Sequence, residues 1–339
     1  MSVSEPFVTV LTPFLDTDAY LEQCIESVLA QTYSNFEYLL VNNQSTDRSV
    51  PIAEAYAAKD SRIRVVHTPT PFSQIENYNF SIGLASPKSA YIKFAQADDW
   101  LFPSCLTEMV ALAEANPSIS LVSSYSLRET QVWGSGLPAK VTFLPGREAL
   151  RLYFLKSFFL FGSPTTVLYR AKVVEDRSPF YPERSLHPDT EAVFEILLEG
   201  NFGFVHQVLS FTRMQDDSIT GRVRDFSPNS LDRVIIVKRY GRRCLDEAEY
   251  DHVSNDALNW YYDEIAGKCL RSWPGGPSPE FWNYHKDGLA TIGEHLDRMR
   301  IARTVASILA DKAANPGLAF RKLRRTMADL VRTTFAKDE

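Results

Sequence analysis

Two adjacent carboxylates stand out in this chain because of what precedes them. Tyr91-Ile92-Lys93-Phe94-Ala95 is an apolar, strand-like run that passes through Gln96-Ala97 into Asp98-Asp99 and Trp100. Side chains alternate in an extended segment, so one acid can face a cation while the other organises the loop. A divalent ion held by one or two carboxylates keeps positions free for phosphate oxygens, which suits chemistry on a diphosphate. The bland reading of the same pair is a turn or helix cap ahead of Pro103. Asp189 and Glu191 open an apolar-periodic segment at 190–198, where a carboxylate is also a good cap or first-turn acid. The six histidines show no metal-ligand spacing, and His67 and His206, near strand ends, read as structural or pocket-lining. The four cysteines, Cys24, Cys105, Cys244 and Cys269, form no C-x-x-C pair and no disulfide framework. Cys24 falls on an apolar helical stripe, as a buried reduced thiol does.

The elements that must position these groups are legible over the first 125 residues. Strand patterns at Phe7–Leu11, Phe36–Val41, Ile63–Val66, Tyr91–Ala95 and Ile119–Ser123 alternate with helical ones. The first helix carries Leu21, Cys24, Ile25, Val28 and Leu29, the stripe of a helix lying on a sheet. Others follow at about 47–58, 74–84 and 103–115, the second with N-cap chemistry from Ser45-Thr46-Asp47 and the last opened by Pro103. Strands separated by helices imply βαβ crossovers and a mainly parallel sheet, the α/β class. Ligands in such sheets bind at the carboxyl ends of the strands. Thr12-Pro13, Asn42-Asn43 and Asp98-Asp99 all fall there.

Beyond Tyr125 the pattern loosens. It predicts a helix over 147–158, a strand over 165–169, a helix over 190–198, and two short strands at 203–205 and 208–213. Residues from about 230 are mostly helical, with a break at Trp273-Pro274-Gly275-Gly276-Pro277. This places a boundary near 225, dividing the chain into 1–225 and a helical region 226–339. A net charge of −6 argues against broad nucleic-acid binding. The N-terminus lacks a basic n-region, and the longest apolar stretch, Leu152–Phe161, is broken by Lys156 and Ser157. Both features predict a soluble, cytoplasmic protein.

The run FVTVLTPF…YLEQCIESVLAQTYSNFEYLLVNNQSTDRS…YIKFAQADDWLFP resembles glycosyltransferase family 2, the inverting transferases of the GT-A fold. The likeness keeps its order over some 95 residues and weakens toward about 220. It implies a nucleotide-sugar donor, a saccharide or lipid-linked acceptor in cell-surface polysaccharide or glycoconjugate synthesis, and a divalent cation, Mn2+ or Mg2+. Carried over residue by residue, it puts Thr12 and Pro13 along the nucleotide pocket and Asn42 and Asn43, followed by Asp47, against the base. The family's Asp-x-Asp motif falls on Gln96-Ala97-Asp98. Asp98 is then the metal ligand, with Asp99 beside it and Gln96 at the ribose or behind the metal. The helix-opening acid of the acceptor half falls on Asp189 as catalytic base, with Glu191 the alternative. Arg213 begins the stretch after the last core strand, and Arg213, Arg222 and Arg224 are candidates for the diphosphate.

The chain departs from the family pattern at three places. Asn42 and Asn43 stand where Asp is commoner. A carboxamide still accepts from a uracil or thymine N–H while donating to a ring carbonyl, which keeps a UDP- or dTDP-type donor in view. Gln96 replaces an acid, leaving the metal site one negative charge short, and Gln215 takes a His position. Two other readings stay open, a nucleotidyltransferase and a non-catalytic nucleotide- or saccharide-binding module. The first lacks its Gly-rich basic phosphate loop in LTPFLDTDAY. The aromatic run Leu152–Phe161 is either core or an acceptor groove. The segment 318–335 sets Leu323, Met327, Leu330 and Val331 against five bases and one acid, Asp329. Such a basic amphipathic helix either lies on the inner face of a membrane or packs on its own domain or a second subunit, as in a homodimer.

Overall fold

The computed structural model describes residues 5–183, 187–214 and 226–314. Arg222, Arg224, Gln215 and the basic segment 318–335 lie outside the described residues.

The central strand β1 (Val8–Phe14) is buried at all seven positions and pairs in parallel with β2 (Phe36–Asn42) and β4 (Tyr91–Phe94). β3 (Ile63–His67) adds in parallel to β2. Between them run α1 (Leu21–Leu29), α2 (Ser49–Ala57) and α3 (Gln74–Gly83). The buried residues of α1 are Leu21, Cys24, Ile25 and Val28, the stripe expected from the spacing. Helix α3 starts in a capping box, with Ser73 accepting from Glu76 and Glu76 reaching back to the Ser73 backbone.

The remaining strands turn the sheet from mainly parallel to mixed. The short β5 (Trp100–Leu101) precedes α4 (Cys105–Ala115), and β6 runs from Ile119 to Arg128, longer than the expected 119–123. Next come β7 (Gln131–Trp133), β8 (Phe143–Pro145) and α5 (Gly146–Lys156). The segment expected as one strand over 165–169 divides into a 3-10 turn, Pro164–Thr166, and β9 (Leu168–Arg170), followed by α6 (Ala171–Glu175). β9 is antiparallel to both β4 and β6. After α7 (Pro188–Glu199), the two expected strands form one, β10 (Asn201–Thr212), whose register against β6 shifts between Val205 and Val208. The sheet order is β3-β2-β1-β4-β9-β6-β10-β5, with β7 on β6 and β8 on β10.

The chain groups into two compact units. One holds residues 1–222 together with 240–250, the other 223–239 with 251–339. In the first, Tyr153 and Phe154 of α5 meet Phe194 of α7 edge-on, so this half of the aromatic run 152–161 is core. The helices beyond 226 are α8 (Pro228–Cys244), α9 (Glu247–Arg271), α10 (Pro279–Ala290) and α11 (Arg298–Ala314). The expected Gly/Pro break falls between α9 and α10. In the second unit His285 is fully buried against Tyr261, and burial pulls its imidazole down to about 4. No helix among the described residues is long and apolar enough to cross a membrane.

Candidate active site

The carboxyl ends of β1 and β2 are locked to each other by their loops. Asp16, in the left-handed region at φ 49°, accepts from Thr46 N (2.7 Å) and Asp47 N (3.3 Å). Asp47 in turn accepts from Asp18 N (2.8 Å) and Ser49 N (2.9 Å). Burial opposes the Asp47 charge, but these donors outweigh it and hold its carboxyl below the usual range. Asp47 thus clasps the two loops together.

Three further residues expected at the nucleotide are turned inward. Thr12 is fully buried, donating to Ala95 O (2.7 Å) and meeting Tyr38 Oη (2.9 Å), so its side chain braces β1 against β4 and β2. Asn42 meets His67 Nδ1 (3.0 Å) and accepts from Ser45 N (2.9 Å). Asn43 donates to Phe72 O and accepts from Phe72 N, both at 2.8 Å, like one rung of a β-ladder. Its carboxamide holds the loop before α3 with both ends engaged. Pro13 is buried, and Ala97 is 5% exposed.

The end of β4 is built around Thr165. Its hydroxyl donates to Asp99 Oδ2 at 2.6 Å and accepts from Gln96 N at 3.1 Å. Gln96 also donates to Tyr78 Oη (3.0 Å), which extends the hydrogen-bond chain that runs through Thr165 to Asp99. The fully buried Lys93 donates to Thr165 O (2.5 Å) and Val167 O (3.3 Å), pinning the 3-10 turn that carries Thr165. Burial pulls the Lys93 ammonium down, and the field of Asp99 opposes that. Asp99 is 2% exposed, and its second oxygen accepts from Arg213 N (3.0 Å). Burial and the neighbouring Asp98 charge push Asp99 up to about 7, against the pull of these donors. Both Asp99 oxygens are thus engaged in holding the loop.

Asp98 differs from its neighbour. Burial raises its carboxyl against the pull of its own backbone N–H and of the Arg213 charge, and no other described residue donates to that carboxylate. Arg213 donates through Nε to Asp98 O (3.2 Å) and through its terminal nitrogen to Gln23 (3.1 Å), with its guanidinium over the Tyr20 ring at 4.4 Å. A tight Trp100–Phe211 stack, with centroids 3.6 Å apart, lies beside it. Two of the five Arg213 donors thus hold the loop. Among the described residues no three His, Cys, Asp or Glu groups converge on a metal position. A partly desolvated carboxylate with no donor from another described residue fits a divalent ion that draws the rest of its oxygens from a diphosphate and water.

Asp189 lies in the first turn of α7, behind Pro188, and accepts from Thr190 N (2.8 Å). It is therefore a first-turn acid and not the cap, which is His187. Glu191 is 7% exposed and accepts from Tyr240 Oη (3.1 Å) of α8. That contact ties the start of α7 to α8. Two residues not anticipated complete the picture, Thr165 and Arg128. Arg128 ends β6 within the fields of both Asp99 and Asp189, which oppose the pull of burial on its charge. Thr165 was hidden by the expected strand at 165–169. Arg128 lay just beyond the expected end of its strand, and a lone arginine after an apolar run was the only signal.

A mixed α/β sheet flanked by helices, with acids following its inner strand β4, is the architecture of a GT-A glycosyltransferase. The profile of glycosyl transferase family 2 matches residues 9–178, half of the chain, and the chain belongs to that family. It is 36% identical over 112 residues to EpsJ of Bacillus subtilis (strain 168), described as an uncharacterized glycosyltransferase. That stretch is 33% of this chain and 31% of EpsJ, so the match covers under a third of that relative's length. Among solved structures, the S. aureus TarS fragment 1–349 in complex with UDP-GlcNAc is similar with a TM-score of 0.61 at 18% identity, over 84% of this chain and 81% of TarS. The mannosyltransferase PcManGT from Pyrobaculum calidifontis, in complex with GDP-Man and Mn2+, gives 0.56 at 15% identity, over 96% and 83%.

Proposed function

We propose that this glycosyltransferase moves a sugar, with inversion, from a UDP- or dTDP-type donor to a hydroxyl of a saccharide or lipid-linked acceptor. The observation that carries the reading is the half-buried Asp98 carboxylate, left without a donor from other described residues at the end of β4. A divalent ion bound there would supply countercharge to the departing diphosphate. Asp98 would hold it, while Thr165, Asp99 and Arg213 keep the Asp98 loop in place.

Asp189 is the acceptor's base in this reading. Its carboxylate takes the hydroxyl proton as the acceptor oxygen bonds to the anomeric carbon, and the bond to the diphosphate breaks with its electron pair going to the leaving oxygen. First-turn placement in α7 holds that carboxylate rigidly. The UDP-GlcNAc complex of TarS supports a uridine donor, and the Mn2+ of PcManGT supports the cation. With Asn43 engaged elsewhere, a base is selected by the shape of the pocket and its backbone groups.

The test is nucleoside diphosphate release by the purified protein from a panel of UDP- and dTDP-sugars with Mn2+ and simple glycosides. Release that depends on acceptor and disappears in Asp98→Asn and Asp189→Asn supports the proposal. Equal release by all three proteins counts against it.

A further inference from the structure

Strand β6 ends on a cation that nothing described so far uses. Arg128 stands in register with Thr212 of β10, the residue before Arg213, whose N–H binds Asp99. In the sheet order β6 lies two places beyond β4, on the side away from β1, β2 and β3. Among the described residues the Arg128 guanidinium makes no hydrogen bond or ion pair, and it lies 4.3 Å over the Trp133 ring. Its forked donors, drawn partly out of water, are costly to leave unmet unless a ligand oxygen meets them.

What leads up to this cation is apolar. Trp133 faces Phe159 at 6.1 Å, and Phe159 is 54% exposed, as is Val132 at 51%. Phe159 is the exposed ring of an aromatic run in which Tyr153, Phe154 and Phe161 are buried. Aromatic faces stack on the C–H faces of sugar rings, and a fixed guanidinium fork matches a carboxylate or phosphate. Asp189, the proposed base for the acceptor, acts on Arg128 through its field.

We propose that Arg128, Trp133 and Phe159 form a subsite for an acceptor saccharide that carries an anionic group, either a carboxylate or a phosphate. The proposal rests on the reading of Asp189 as the acceptor's base. The aromatic pair holds the sugar ring, and Arg128 takes the anionic substituent, which orients a hydroxyl toward Asp189.

Binding to the full chain, saturated with UDP and Mn2+, tests this without requiring turnover. Methyl β-glucoside, methyl β-glucuronide and methyl β-glucoside 6-phosphate are compared by saturation-transfer NMR. At least one anionic sugar is expected to bind about tenfold or more tightly than the neutral one, as a charge-assisted pair requires. Whichever it is identifies the group. Arg128→Gln is expected to remove the difference while UDP affinity holds. Arg128→Lys, which keeps charge without the fork, retains part of the difference, and Trp133→Ala weakens all three sugars. Equal binding of the three by wild-type protein that binds UDP overturns the subsite. A loss of UDP affinity in Arg128→Gln that matches the loss of the anionic sugar also overturns it, by assigning Arg128 to the donor diphosphate. Wild-type protein that binds no UDP would instead refute the donor reading on which the subsite depends, and the subsite with it.

Discussion

Replacing Asp99 by Asn should make the protein more stable, and by an amount that depends on pH. The substitution keeps the side-chain shape, can still accept the Arg213 N–H, and removes a charge held at 2% exposure. In the unfolded chain an aspartate ionises near about 3.9. In the fold burial and Asp98 push Asp99 up to about 7. Between those limits the folded state keeps a proton that the unfolded chain has lost, so wild-type stability falls as pH rises and levels off above about 7. Three pH units at about 1.4 kcal/mol each set a ceiling of about 4 kcal/mol on that loss. Asparagine carries no such contribution. The variant should match wild type near pH 4 and exceed it progressively up to neutral pH. Urea unfolding in EDTA, at several pH values from about 4 to 8, measures the difference directly. Parallel stability curves, or a variant that loses ground as pH rises, would refute the account of Asp99 as a buried, strained charge.

The other predictions concern residues whose roles the fold separates. Asp189→Asn should lower turnover by at least about 10²-fold with donor affinity and melting temperature nearly unchanged, as removal of a positioned base does. Glu191→Gln keeps an acceptor for Tyr240 and should keep most of the activity; a loss as large as that of Asp189→Asn would exchange their roles. Asn43→Ala removes both contacts to the Phe72 peptide and should cost about 1–3 kcal/mol of stability, read from urea midpoints, along with weakened UDP binding. A chain ending at 225 loses Tyr240 and Glu249, the partners of Glu191 and Arg151, and should unfold at lower temperature than the full chain by calorimetry.

Much of this fold could be read in advance because the first half obeys two simple periods. Leu21, Cys24, Ile25 and Val28 repeat as a helix must, and β1, β2, β3 and β4 fall where apolar runs do. The strand ends were legible for the same reason, since the polar clusters follow those runs. What the side chains do there was not legible. Asn43 and Phe72 are 29 residues apart, Asp99 and Thr165 are 66, and Asp99 and Arg213 are 114. Contacts over such separations leave no trace in local spacing, so the loop-holding partners of Asn43 and Asp99 could not be read in advance. Thr165-Thr166-Val167 has β-branched residues that favour a strand, but Pro164 and the hold of Lys93 on the Thr165 carbonyl make it a 3-10 turn. The antiparallel direction of β9 was likewise invisible, because a short strand between parallel neighbours carries no sequence mark of its direction.

The central claim is that a nucleotide sugar is opened at the carboxyl end of β4, between Asp98 and Asp189. The most direct measurement is a crystal structure of the chain with UDP and Mn2+. The account predicts the diphosphate beside Asp98, with the ion on its carboxylate, Asp99 still held by Thr165 and the Arg213 N–H, and open space between the diphosphate and Asp189. A diphosphate bound away from Asp98, or an ion carried by Asp99 with its Thr165 and Arg213 contacts broken, would contradict it.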